Sequence, residues 1–156
     1  GEILIPVSAP DSIVNYIEPP DGMDCVTMDA GMVRFRVDSI TKQKIGIKAD
    51  SLLGRIGYLR QCDDGLWSLI VRNFTVNPSA DYIDAPWNDM ADLGYAVHCY
   101  NDDGKLADFG EFEYHTPAIG HGTGMTSYTD CGQVWAFRAE ESIIRQIAQR
   151  LLFVQI

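Results

Sequence analysis

Long apolar runs are missing from this chain. No stretch approaches the roughly 18 residues that a helix needs to cross a bilayer, so no helical membrane span is expected. A basic surplus is missing as well. The 156 residues carry 12 Lys and Arg against 22 Asp and Glu, a formal net charge of −10. Nucleic acid and anionic membranes are held by neutralising phosphates, and this balance argues against both. A neutral ligand such as a sugar is compatible with it.

Paired cysteines are also lacking. Cys25, Cys62, Cys99 and Cys131 are widely spaced and form no C-x-x-C. A thiolate zinc site needs closer pairs. The four read as free, mostly buried thiols, with disulfides open to them only if the protein is exported. No metal and no organic cofactor is expected. There is no internal repeat and no low-complexity linker. The opening "GEILIPVSAP" has no Met, no basic region and no long apolar core, so it is not an intact signal peptide. Gly1 reads as a trimmed or cloned start, with native sequence expected upstream. The compartment stays open, an extracytoplasmic one included.

What is present reads mostly as strands. In "GMVRFRVDS", Val33, Phe35 and Val37 point one way and Met32, Arg34 and Arg36 the other. Alternation of this kind marks a half-buried strand. "KIGIK", "RIGYLRQ", "LWSLIVRNF", "GYAVHCYN", "DFGEFEYHT" and "GQVWAFRA" follow, separated by turn signals. "CDDG" and "NDDG" read as hairpin connections, with Gly65 and Gly104 where a positive φ is needed. "SAPDSIVNYIEPPDG" is a poorly patterned, proline-rich lead-in. From Glu140, "EESIIRQIAQRLL" places Ile143, Ile144, Ile147 and Leu151 on one stripe, which predicts a helix over 140–152 that packs on a sheet or another domain. The fold class expected is mainly β: an antiparallel β-sandwich in a single domain with a C-terminal α-helix.

The chemistry concentrates in "DFGEFEYHTPAIGHGTG". On a strand, Phe109, Glu111, Glu113 and His115 share one face, and Phe112 and Tyr114 the other, core face. Two carboxylates about 7 Å apart along the strand, with an imidazole next in line, are the parts of a proton-transfer site. Neighbouring carboxylates raise one another's pKa, and histidine serves as acid or base with little tuning. Alternating Glu is also how a plain solvent face looks. Pro117 and "GHGTG" end the strand in a flexible loop of the kind found at the mouth of a site.

Aromatic residues add a second clue, because the flat faces of sugars pack on indole and phenol rings. Trp67 and Trp135 lie in apolar strands and read as core. Trp87, between Pro86 and Asn88 in a polar loop, is the better ligand candidate. Asn88, Asn101, Asp102 and His121 are candidate partners for sugar hydroxyls. His98 reads as a satisfied strand histidine. Asp102 and Asp103 could hold calcium, but the EF-hand spacing is absent.

The order "RFRVD…QKIGIK…LWSLIVRNF…ADYIDAPWND…LGYAVHCYNDDG…FGEFEYHTPAIG…VWAFRAEESIIRQIAQRLL" resembles an uncharacterised family of the galactose mutarotase-like superfamily. The strings around "CYNDDG" and "GEFEYHTPA" are its most specific parts. The resemblance implies a β-supersandwich of which this chain is similar to the C-terminal portion, since complete members are about twice as long. It implies a sugar mutarotase or epimerase activity without cofactor. Aldose 1-epimerases of the superfamily carry a glutamate base on a late strand shortly before a proline. Glu113, four residues before Pro117, is the nearest match and Glu111 the second. The epimerase spacing is one residue longer, and the epimerase histidine acid comes from the earlier half. His115 or His121 would have to replace it. A non-catalytic carbohydrate-binding or accessory domain is the alternative. A partial sandwich also predicts self-association through an uncovered edge.

Overall fold

The computed structural model describes residues 1–9, 12–17, 22–120 and 122–153. Among these, ten strands run in chain order as β1 (Glu2–Pro6), β2 (Ile13–Asn15), β3 (Val26–Asp29), β4 (Met32–Arg36), β5 (Gln43–Lys48), β6 (Arg55–Gln61), β7 (Trp67–Asn73), β8 (Tyr95–Asn101), β9 (Gly110–Tyr114) and β10 (Gln133–Ala139). One α-helix, α1 (Glu141–Leu152), follows. The strands form a six-stranded sheet, β10-β7-β6-β1-β4-β3, and a four-stranded sheet, β2-β5-β8-β9. Every pairing is antiparallel. The protein is thus mainly β and sandwich-like with a C-terminal helix, as its patterning predicts.

Alternation divides the side chains between two cores. Ile3, Ile5, Val33, Phe35, Ile45, Ile47, Ile56, Val97 and Cys99 fill the space between the sheets. Leu4, Met32, Leu59, Leu69 and Val71 point the other way, against Ile144, Ala148 and Leu152 of α1. Each large side chain so buried contributes about 1.5–3 kcal/mol. Gly57 lets the helix approach, since a Cβ there would stand 2.9 Å from a methyl of Leu152.

Four details depart from the sequence reading. β1 runs through "EILIP", whose continuous apolar run suits a strand covered on both faces, and it lies centrally between β6 and β4. Part of the proline-rich lead-in is strand, β2. The helix buries Ile144, Ala148 and Leu152, while Ile143 is 48% exposed, so the buried stripe is turned toward the alanine side. Trp135 is exposed rather than core, because β10 is an edge strand that pairs only with β7 among the described residues. Trp67 is half-buried against the helix-side core. The hairpin expectations hold: Gly65 has φ 85° and Gly104 has φ 75°.

No helix among the described residues is long and apolar enough to cross a membrane. All four cysteines are free: Cys25 and Cys99 buried, Cys62 half-buried and Cys131 exposed.

Candidate functional site

The outer face of the four-stranded sheet is built by strand parity. In β5, Ile45 and Ile47 point inward, which turns Lys44 and Gly46 outward. In β8, Val97 and Cys99 point inward and His98 and Tyr100 outward. In β9, Phe112 and Tyr114 pack on the inner core, as the sequence predicts, and Glu111 and Glu113 face out. The register then aligns these positions across the strands. Gly46 pairs with His98 and His98 with Glu113, while Lys44 pairs with Tyr100 and Tyr100 with Glu111. His115 continues the Glu111–Glu113 face, its N–H donating to the Ala96 carbonyl at 2.7 Å.

Glu113 and His115 do come together. The Glu113 carboxylate lies 4.0 Å from His115 Nε2 and 3.9 Å from Lys44 Nζ. Glu111 is exposed on the same face. The imidazole of His115 stacks on that of His98, with ring centroids 4.4 Å apart and planes 20° from parallel. His98 is completely buried, and Tyr16 packs edge-on against its ring at 5.1 Å. Gly46 makes room for this packing. A Cβ there would lie 2.5 Å from Tyr16 Cε2 and 3.0 Å from Tyr95 Cδ1.

The segment between β7 and β8 contributes the third titratable group. Asp84 Oδ2 lies 3.5 Å from His98 Nε2. The Tyr16 hydroxyl, donating to the Asp84 carbonyl at 3.3 Å, helps hold the loop there. His98 Nε2 also faces the Tyr95 carbonyl at 3.4 Å. Both of its neighbours are acceptors, which places the hydrogen on Nε2. Nδ1 is buried, with no hydrogen-bond partner among the described residues. Burial, aided by His115, holds the His98 pKa well below the ordinary histidine value and outweighs the opposing pull of Asp84. The ring is therefore neutral at neutral pH. One nitrogen or oxygen from each of Asp84, His98 and His115 falls within 4.8 Å of the others. At His115 the surface is hollowed into a wide, open depression bordered by Arg72, Ile83, Tyr114 and Pro117; Glu113, His98 and Asp84 do not line it.

Residues 3–156 match the Family of unknown function (DUF6786). The chain belongs to that family. No curated protein and no solved structure matches it.

In this DUF6786 chain the remaining sequence candidates scatter. Trp87 and Asn88 occupy the centre of a turn closed by the Asp89 N–H donating to the Pro86 carbonyl at 3.0 Å. Trp87 is 66% exposed, three residues along the chain from Asp84. Asn101 and Asp102 are buried, and their polar groups are engaged within the protein. Asn101 accepts from the N–H groups of Asp38 and Ser39 and donates to Asp38 and the Thr41 carbonyl. Asp102 accepts from the Tyr100 hydroxyl and from the N–H groups of Leu106 and Ala107, which folds "NDDG" onto itself. His121 lies outside the described residues. His98 and Asp84 are the members of the site that sequence reasoning missed. Parity alone placed His98 on a single face, but only the β8–β9 register sets it opposite Glu113.

Proposed function

We propose that the outer face of the four-stranded sheet acts on carbohydrate by proton transfer, as a mutarotase or epimerase-like site. The observation that carries this reading is the convergence of Glu113, His115 and His98 on one face of the sheet. Glu113 takes the proton of an anomeric hydroxyl. His115, about a third exposed, protonates the ring oxygen. Lys44 Nζ stands 3.9 Å from the Glu113 carboxylate. The resemblance to the galactose mutarotase-like superfamily supports Glu113 as the base; the superfamily's histidine acid comes from the earlier half, and His115 takes its place in this reading. A hydrolase using Glu111 and Glu113 is disfavoured, since its two carboxylates flank the scissile bond from opposite sides whereas these face one way.

The test is polarimetry, or NMR exchange between anomers, on a panel of aldoses. Glu113→Gln keeps the shape and removes the base, so turnover falls at least about a hundredfold with binding nearly retained. Equal activity in the wild type and the variant overturns the assignment.

The exposed Trp87 favours a second reading, a non-catalytic carbohydrate-binding or accessory domain. There, Trp87→Ala costs affinity for sugar and leaves the melting temperature nearly unchanged, with no turnover in any form of the protein. Self-association belongs to either reading through the exposed edge strand β10, and light scattering that stays monomeric at all concentrations rejects it.

A further inference from the structure

We infer that Asp84, His98 and His115 form a site for one divalent transition-metal ion of the zinc class. The inference deepens the reading above, because it rests on the same face. It replaces the imidazole acid by a metal ion that polarises the sugar oxygen.

The argument begins with donor type. Two neutral imidazoles and one carboxylate form a donor set that suits zinc and its neighbours rather than calcium or magnesium. Three protein ligands leave a fourth position open for water or substrate, the pattern of catalytic rather than structural zinc. The sequence conceals the set, because its members lie on a loop, on β8 and just beyond β9, at offsets of 14 and 17 positions (98−84 and 115−98). Folding brings their donor atoms within 4.8 Å of one another.

Metal–ligand bonds of about 2.0–2.2 Å put tetrahedral ligand atoms roughly 3.3 Å apart. The His98–Asp84 separation of 3.5 Å already meets this. The rest of the closure falls to His115, which must tilt out of its stack on His98 to aim a nitrogen at the ion. His115 and Asp84 can move, each with a side chain 34% exposed, while His98 is completely buried and supplies the fixed point. Glu113, whose carboxylate is 4.0 Å from His115 Nε2, would be at hand as the base toward a substrate oxygen polarised there.

The experiment is zinc titration of the full chain by calorimetry, with metal content after dialysis measured by mass spectrometry. One zinc per chain is expected. Asp84→Asn and His115→Gln change partly exposed residues and should leave the melting temperature within a few degrees of wild type. Each should weaken zinc at least about a hundredfold, more than loss of an outer-shell partner does. Zinc should also shift the His98 and His115 imidazole resonances together and raise the melting temperature of the wild type alone. Absence of binding, or binding unchanged by either substitution, overturns the inference. Turnover that persists in metal-free protein with added chelator also overturns it, while leaving the acid–base reading standing. Stoichiometric zinc lost in both variants, without turnover on any sugar, upholds the metal site and sinks the mutarotase reading.

Discussion

Replacing Gly46 by alanine would place a methyl group where two tyrosine rings already stand. The new Cβ would meet Tyr16 Cε2 at 2.5 Å and Tyr95 Cδ1 at 3.0 Å. Carbon atoms prefer about 3.5–4.0 Å, so one ring must move by about an ångström. Tyr16 is the one that gives way, because Tyr95 is tied to Asp92 through its hydroxyl. Tyr16 is only 3% exposed, so the movement is made inside a packed core. Overpacking of this kind costs about 1–3 kcal/mol, and the severity of the contact argues for the upper end. Restricting the unfolded chain returns about 0.4–1 kcal/mol. The net loss is about 2 kcal/mol, or roughly 4–8 °C in melting temperature for a chain of this size. The same displacement loosens the hydroxyl bond from Tyr16 to the Asp84 backbone and uncovers His98, so zinc affinity falls as well. The assay is thermal denaturation of the single variant and of Gly46→Ala in a Tyr16→Ala background. Removing the ring first should abolish more than half of the alanine's cost, a coupling that a double-mutant cycle reads directly. An equal cost in both backgrounds would refute the packing argument.

Other outcomes follow from groups outside the site. Asn101→Ala strips partners from two half-buried N–H groups and the Thr41 carbonyl; at about 0.5–1.5 kcal/mol per hydrogen bond lost, urea unfolding should show a loss of about 2 kcal/mol or more, and an unchanged stability would contradict the network. The hydrogen bond from Lys48 Nζ, at 2.6 Å, and the Tyr95 hydroxyl hold the Asp92 pKa below the ordinary carboxylate value. A folded pKa lowered in this way contributes stability above the unfolded value of about 3.9 and loses it as pH falls through the folded value. The stability gap between wild type and Asp92→Asn should therefore narrow as pH drops from about 5 to about 2, and a constant gap would remove the assignment.

Much of the fold was legible in the sequence because alternation and turn chemistry are local. Val33 and Phe35, Phe112 and Tyr114, and the positive-φ glycines Gly65 and Gly104 all declared themselves within a few residues. So did the pairing of Glu113 with His115, since two residues on one strand face share their direction whatever the strand packs against. β1 escaped because a strand covered on both faces has no alternation to read, and the helix stripe was misplaced because small Ala148 carries little hydrophobic signal yet allows the closest approach. Asn101 and Asp102 looked like ligand groups because composition cannot distinguish a polar side chain offered to solvent from one spent on its own loop.

The site itself was decided only in three dimensions. The sequence by itself determined that Glu111, Glu113 and His115 share a face, because side-chain direction in a strand is set by the backbone at each residue. It could not determine that His98 lies opposite Glu113, that the loop returns Asp84 to 3.5 Å from that histidine, or that Gly46 opens the space in which Tyr16 covers it. Those facts depend on strand register and loop closure, which are chosen by the summed packing of both cores and written in no single segment.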